Sequence, residues 1–175
     1  MLGMVGTPQR TEAAPYYFTY IDRIPNPDVV SVLESQLDPA LDFLHSISKE
    51  KSLSRYAPGK WTIRQVMGHI NDTERMFVFR AMWFARGFET PLPSFDQDIA
   101  VAGAQSDAIS WARHMQEFRE VRRATLSFFR NLSPEAWART GTASGNPFTV
   151  RALAYIAAGH LDHHMAIVRE RYITR

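Results

Sequence analysis

The chain has 175 residues, 45% of them hydrophobic and 22% charged, which is the length and composition of one globular domain. It has no cysteine, which excludes disulfides, thiolate metal sites, iron–sulfur clusters and a cysteine nucleophile, so His and carboxylate side chains must hold any metal. A net charge of only +2 argues against a nucleic-acid partner, and no apolar run is long enough to cross a bilayer.

The first 26 residues predict a partly flexible N-terminal arm, because they contain glycine, threonine and several prolines. Residues 1–14 contain no apolar core for a secretory signal, so we expect a cytoplasmic protein. The bundle domain is predicted over residues 27–175. Asn26 as N-cap and Pro27 as the first helical residue predict a helix that apolar residues at steps of three and four extend to about Ser48.

The second helix has the strongest signals. Thr62 followed by Gln65 predicts a capping box, and Gly87 predicts the end of the helix after Arg86. Trp61 is expected to be a packing anchor at the start of this helix. The connection over residues 88–106 reads as irregular, and we expect it to line the mouth of a site.

The third helix is predicted over about residues 107–131, and a short helix starts at Ser133. Thr149 predicts the N-cap of a final helix that runs nearly to the C-terminus. No segment shows the alternation of a strand. The sequence therefore predicts an all-α protein, a four-helix bundle with a short extra helix. Arginines of the third helix are expected on a solvated face because Glu117 and Glu120 lie among them, namely Arg119, Arg122, Arg123 and Arg130.

Four histidines fall in two of these helices, His69 in the second and His160, His163 and His164 in the last. Residues four apart lie on one face of a helix, so His160 and His164 can bind one ion together. Both occupy the core-facing stripe of the last helix, whereas His163 lies about 100° around the helix from His164 and is less well aimed. A His160/His163 pair stays open as an alternative.

His69 lies at the edge of the buried stripe of its helix and is the candidate for a third ligand. A single histidine on an apolar face is ordinarily a hydrogen-bonded core residue, but burying several neutral imidazoles without a shared ion costs desolvation at each one. Three histidine ligands leave a coordination position open, as in catalytic sites. We expect Zn²⁺, with Ni²⁺, Fe²⁺ and Mn²⁺ as alternatives, because imidazole binds all of them. His45 and His114 have no spaced partner and are expected to be structural or exposed.

Carboxylates near these histidines are candidates for proton transfer. Asp72, three residues after His69, is the best placed to orient that ring or to carry a proton, and His163 is a second candidate for proton transfer. Glu74 and Asp162 are expected to lie in solvated salt bridges.

Two stretches resemble the DinB superfamily, in particular its YfiT-like branch of proteins described as metal-dependent hydrolases. They are GKWTIRQVMGHINDTE (59–74) and GHLDHH (159–164), and the likeness extends over about residues 27–172. The resemblance implies a four-helix bundle of up-down-down-up type, dimeric in many members, with a divalent metal held by three histidines. By motif position these are His69, His160 and His164, and no ligand of the pattern is missing.

We therefore expect a divalent-metal-dependent, hydrolase-like enzyme that acts on a small-molecule substrate with a metal-bound water as nucleophile. One alternative, implied by the thiol-dependent relatives in the family, is an S-transferase whose low-molecular-weight thiol occupies the open coordination position. A second alternative is a non-catalytic dimeric bundle or metal-binding module. In each case we expect a homodimer without a nucleic-acid or membrane partner.

Overall fold

Seven α-helices and one β-hairpin make up residues 5–174, the part of the chain that the computed structural model describes. The helices are α1 (Phe18–Ile21), α2 (Val29–Ser35), α3 (Leu37–His45), α4 (Ile63–Ala85), α5 (Gln97–Ala104), α6 (Trp111–Arg130) and α7 (Val150–Ile167), and the strands are β1 (Thr140–Ala143) and β2 (Asn146–Thr149). A π-helical segment, Val168–Ile173, extends α7. None of the helices within residues 5–174 is both long enough and apolar enough to span a bilayer.

The bundle consists of four helical segments, which we call legs. The second and third legs run in the same direction. The second leg is α4 and the third is α6. Near the start of α4, Arg64 donates to the carbonyl of Ile109, and further along the helix Arg75 pairs with Glu117. Residue numbers therefore rise together along both helices, which makes α4 and α6 parallel.

The fourth leg, α7 with its π-helical extension, runs antiparallel to α4. At one end the Tyr172 hydroxyl donates to the Trp61 carbonyl, and further along His160 lies against His69. This pairing places the two histidine-bearing helices side by side.

The first leg consists of α2 and α3 and runs parallel to α7. Asn26, just before α2, accepts a hydrogen bond from Tyr155, and Gln36, between α2 and α3, donates to Asp162. The directions of the four legs are therefore up, down, down and up, which confirms the predicted bundle.

The helix α4 begins and ends within one residue of the prediction. The Thr62 hydroxyl accepts from the Gln65 N–H, and the Gln65 side chain accepts from the Thr62 N–H, which completes the capping box. Gly87 follows the helix with a φ of 81°, a left-handed conformation that favours glycine.

The first leg begins later than predicted and is broken. Asp28, rather than Asn26, caps α2, because its carboxylate accepts from the Ser31 N–H at 3.1 Å. The helix ends at Ser35 because Pro39 has no N–H to donate to the Ser35 carbonyl, and the proline ring clashes with that carbonyl.

Two further segments differ from the prediction. The connection over residues 88–106 contains the helix α5, which Asp96 caps with its carboxylate. The helix α6 starts at Trp111 instead of near 107, because Ser110 caps it and a 3₁₀ turn, Ser106–Ala108, precedes it. The predicted short extra helix is present as the 3₁₀ turn Pro134–Ala138.

The hairpin β1–β2 is present although the sequence analysis finds no strand. Ser144 and Gly145 connect the strands with φ values of 52° and 73°, the backbone signs of a tight turn between twisted strands. Each strand has only four residues, too few to show an alternating pattern.

The described part of the N-terminal arm packs against α7. Phe18, Tyr20 and Ile21 are buried there, and Gly159 of α7 faces the Tyr20 backbone so closely that a Cβ at residue 159 would overlap the Tyr20 carbonyl oxygen. The arm therefore depends on the absence of a side chain at Gly159. The division between arm and bundle at residue 27 stays a prediction.

A buried ion pair connects the legs. Arg122 is fully buried and donates to Glu74 at 2.9 and 2.8 Å, and also to the Leu33 carbonyl and the Gln36 side chain. Gln36 in turn donates to Asp162 at 2.8 Å. The predictions that Arg122 lies on a solvated face and that Glu74 lies in a solvated salt bridge are wrong, because bidentate pairing and further acceptors offset the lost hydration of this buried pair. The predicted salt bridge of Asp162 is also wrong, because within residues 5–174 the Gln36 amide, and not a cation, contacts its carboxylate.

Replacing Gly159 by alanine should displace the arm from α7. The added methyl meets backbone rather than a flexible side chain, so we expect a loss of about 1–3 kcal/mol in the free energy of unfolding, measured by urea denaturation. Gly103→Ala in α5 is the matched control, since no atom of the described residues lies within 4 Å of its added Cβ, and it should stabilise the protein by about 0.5–1 kcal/mol. Equal stability of the Gly159→Ala variant and the wild type would contradict the close packing of the arm.

Candidate metal centre

Three histidines from two antiparallel helices meet in the seam between α4 and α7. The Nε2 atoms of His69 and His164 each lie 3.1 Å from the Nε2 atom of His160. Within residues 5–174 this is the one group of three or more His, Cys, Asp or Glu side chains whose donor atoms all lie within 4.8 Å of one another. Imidazole nitrogens bound tetrahedrally to zinc at 2.0–2.1 Å are about 3.3 Å apart, so the observed spacing suits one ion.

Local helix geometry accounts for two of the three positions. His160 and His164 are one turn apart on the face of α7 that packs against α4, as their spacing predicts. His69 meets them from the opposite helix because α4 and α7 run antiparallel. The structure thus brings together the three histidines that the sequence singles out as ligands.

Burial keeps the three rings neutral. His69 and His160 are 4% and 5% exposed, and His164 is partly exposed. Burial lowers the pKa of His69 to about 4 and, with the neighbouring rings of His69 and His163, lowers the pKa of His164 to about 3. Burial also moves the pKa of His160 well below its ordinary value. All three rings are therefore free of an extra proton near pH 7, the state that binds a metal.

Aromatic rings enclose the histidines. The Trp61 ring lies 5.0 Å from that of His69, and the Phe77 and Tyr20 rings lie 5.7 and 5.2 Å from that of His160. The sequence identifies Trp61 as a packing anchor, but nothing in its pattern points to Tyr20 or Phe77 as neighbours of the site. The buried Tyr20 and Phe77 rings cover the inner side of His160, and such apolar surroundings strengthen electrostatic interactions there.

A threonine that the sequence analysis does not single out also contacts the cluster. The Thr73 hydroxyl donates to the His69 carbonyl at 2.6 Å and lies 3.4 Å from Nδ1 of His160. Its position four residues after His69 is the only sequence signal that marks it.

The donor set fits a divalent cation. A neutral ring nitrogen makes one hydrogen bond, as donor or as acceptor, so Nε2 of His160 can satisfy only one of its two neighbours. In addition, Nδ1 of His69 is buried without a hydrogen-bond partner in the described residues. An ion bound by the three Nε2 atoms would offset the desolvation cost at those atoms, which hydrogen bonds among the rings cannot do, whereas Nδ1 of His69 keeps its own cost.

A cleft of about 300 Å³ opens beside His164. It is lined by aromatic and charged side chains, including Tyr56, Lys60, Trp61, Asp98 and Tyr172. Asp98 belongs to α5, so the connection over residues 88–106 contributes one side chain to the lining of this cleft. The histidine cluster therefore reaches solvent through His164.

The two candidates for proton transfer lie in different surroundings. The His163 ring is 5.1 Å from the His164 ring, but it is not part of the converging group. The Asp72 carboxylate contacts Arg75 at 3.5 Å and, among residues 5–174, makes no hydrogen bond to His69. The side chain of Asp72 therefore does not orient the His69 ring directly.

The remaining histidines have structural surroundings, as predicted. His45 is exposed and its ring bonds to the Leu41 carbonyl at 2.7 Å. His114 is buried and its ring bonds to the Ser106 carbonyl at 2.8 Å.

The metal-free protein should lose stability in mild acid. The unfolded chain takes up protons below the ordinary histidine pKa of 6.5, whereas folded His69 does so only near pH 4. The contribution of His69 is therefore fully present above pH 6.5 and falls by about 2 kcal/mol between pH 7 and pH 5. Urea denaturation of the protein at pH 7 and at pH 5, in the presence of a chelator, measures this fall in the free energy of unfolding. The free energy of unfolding of His69→Gln should depend less on pH than that of the wild type. An equal pH dependence of the two proteins would contradict the burial of a neutral His69 ring.

Comparisons with known proteins agree with this architecture. A sequence profile of the DinB superfamily matches residues 33–168, a range that includes all three clustered histidines. Among solved structures, YfiT from Bacillus subtilis, described as a probable metal-dependent hydrolase with an unusual four-helix bundle topology, aligns with a TM-score of 0.71. Its identity is 19% over 93% of this chain and 89% of YfiT, which shows a shared fold. A search of curated proteins finds no match. Since the profile covers most of the sequence, the chain belongs to the DinB superfamily.

Proposed function

We propose that this protein is a divalent-metal-dependent enzyme that hydrolyses a small-molecule substrate. The observation that carries the proposal is the convergence of three neutral histidine nitrogens beside an open cleft that His164 lines. The description of YfiT as a probable metal-dependent hydrolase supports the same reaction class. When bound, a divalent cation with three imidazole ligands keeps a position for water or substrate, lowers the pKa of that water and polarises a carbonyl.

The protein's own side chains would hold the ion and determine the side from which the substrate approaches. His69, His160 and His164 would hold the ion, and only His164 of the three lines the cleft. The substrate would therefore approach from the His164 side. Zn²⁺ is the ion we expect, with Ni²⁺, Fe²⁺ and Mn²⁺ as alternatives, because three imidazole donors suit each of them.

The lining of the cleft favours a small substrate with both apolar and polar parts. Trp61 and Tyr172 offer aromatic surface, while Lys60 and Asp98 place one cation and one carboxylate at the same opening. Aromatic walls with a few charged groups are typical of small-molecule sites.

Proton transfer during the reaction is assigned to His163 or Asp72. Proximity supports His163, because its ring lies 5.1 Å from that of His164. Asp72 has weaker support, because its carboxylate contacts Arg75 and, within residues 5–174, makes no hydrogen bond to His69. Nδ1 of His69 has no hydrogen-bond partner in the described residues.

Purified protein without a tag should contain about one metal ion per chain, measured by mass spectrometry. His160→Ala should contain none, because it removes the ligand whose Nε2 contacts both others. His45→Ala should keep the ion, since His45 is an exposed histidine outside the cluster. A wild-type protein that is metal-free and cannot be loaded would contradict the proposal.

The metal-loaded protein should hydrolyse members of a panel of ester and amide substrates, and His164→Ala should lose that activity while His45→Ala retains it. Cobalt substitution tests the alternative S-transferase, because a thiol that binds the ion changes the cobalt spectrum. A large change at low thiol concentration would favour the transferase over the hydrolase. Bound metal with neither hydrolysis nor a thiol effect would favour a non-catalytic metal-binding module.

We also propose a homodimer. Support comes from an exposed aromatic surface in which Phe79 and Phe88 are 46% and 49% exposed and the Phe88 ring stacks on Trp83 at 4.1 Å. Light scattering in solution tests this assembly. The cytoplasmic location expected from the sequence stays a prediction.

A further inference from the structure

We propose that Thr73 sets the tautomer of His160, and so presents the lone pair of its Nε2 atom to the metal. This inference rests on the proposed metal-dependent function. It assigns Thr73 as a positioning residue, which acts through a ligand and does not touch the ion itself.

The hydrogen-bond donor of Thr73 is already in use. Thr73 lies one turn after His69 on α4, and its hydroxyl is 2.6 Å from the His69 carbonyl and 3.2 Å from the Ile70 carbonyl. A carbonyl oxygen only accepts, so the single hydroxyl proton points to the helix backbone. The Thr73 oxygen can therefore still accept a hydrogen bond.

That acceptor faces the inner nitrogen of His160. Thr73 Oγ1 lies 3.4 Å from Nδ1 of His160, slightly longer than the usual length of about 2.7–3.2 Å for an N–H···O hydrogen bond. The contact is attractive only if Nδ1 carries the ring proton, because two lone pairs would otherwise meet. A neutral imidazole has one N–H, so Nε2 of His160 is then unprotonated and turned toward the two other Nε2 atoms.

Other groups nearby cannot replace Thr73. Thr73 and His160 are 4% and 5% exposed, which leaves little access for bulk water. The Tyr20 hydroxyl hydrogen-bonds to the Tyr16 hydroxyl, and Phe77 contributes only an apolar ring. Within residues 5–174, Thr73 is thus the one hydrogen-bond partner of Nδ1 in His160.

The same hydroxyl links two ligand positions. It bonds the backbone of His69 on α4 and contacts the ring of His160 on α7. A metal-binding histidine commonly donates its second ring N–H to such a partner, which fixes both the tautomer and the ring orientation. Without the Thr73 hydroxyl, His160 can also adopt the tautomer with its proton on Nε2. That proton must then be removed before His160 can bind the metal, and the ring loses a restraint on its orientation.

Thr73→Val removes the hydroxyl while keeping the branched shape of the side chain, and Thr73→Ser is the control that keeps the hydroxyl. Competition with a chromophoric Zn²⁺ chelator should show about 10- to 100-fold weaker zinc binding for Thr73→Val and wild-type binding for Thr73→Ser. Equal zinc affinities of Thr73→Val and the wild type would overturn the proposal.

The ring nitrogens of His160 give a second measurement that needs no metal. Long-range ¹H–¹⁵N spectra of the metal-free protein should show the proton on Nδ1 in the wild type and in Thr73→Ser, and a mixture of tautomers in Thr73→Val. A role of Thr73 in packing alone would change thermal stability without moving this proton. A proton on Nε2 in the metal-free wild type would overturn the proposal, even if Thr73→Val fails to fold.

The two measurements separate this inference from the proposed function. If the wild type binds no zinc, the proposed function fails, and with it the role of Thr73 in metal binding. If the wild type binds zinc and Thr73→Val binds equally well, only the role of Thr73 fails.

Discussion

The rest of the structure depends on one constraint, that the Nε2 atoms of three neutral histidines are held close enough together in the seam between α4 and α7 to bind one ion. Two nitrogens lie 3.1 Å from a third that can bond to only one of them. Such a cluster costs desolvation unless a cation offsets it. The architecture maintains this spacing from both sides. The buried pair of Arg122 and Glu74 ties α6 to α4, and Gln36 continues the contacts to α7.

The two sides of the histidine cluster have different surroundings, and this difference gives the site a direction. On the inner side, the N-terminal arm packs on Gly159, and Tyr20 and Phe77 lie against His160. On the outer side, His164 lines a cleft whose charged groups are Lys60 and Asp98. Under the proposed function, a substrate would therefore approach from the His164 side, and His69 and His160, which do not line the cleft, are the more deeply buried ligands.

What the sequence predicts well is what depends on neighbours along the chain. The spacing of His160 and His164 places both on one helix face whatever the rest of the fold, and the capping box at Thr62 involves residues three apart. The burial of Arg122 depends on which helices pack against α6, and no local pattern records that. The contact of Thr73 with His160 likewise requires the antiparallel pairing of α4 with α7.

Two expectations differ from the structure because a second local signal competes with the first, namely that Asp72 orients the His69 ring and that the first helix is continuous. Spacing alone places Asp72 one turn from His69, but Arg75, equally close along the helix, contacts its carboxylate. A broken helix at Ser35 follows from Pro39, a local signal that the apolar periodicity obscures.

The most direct test of the metal centre is a crystal structure of the zinc-soaked protein with anomalous scattering measured at the zinc edge. We predict one strong peak about 2.0–2.1 Å from the Nε2 atoms of His69, His160 and His164, with a further coordination position directed toward the cleft. A peak bound elsewhere, or no peak while the three rings keep their present arrangement, would contradict the account.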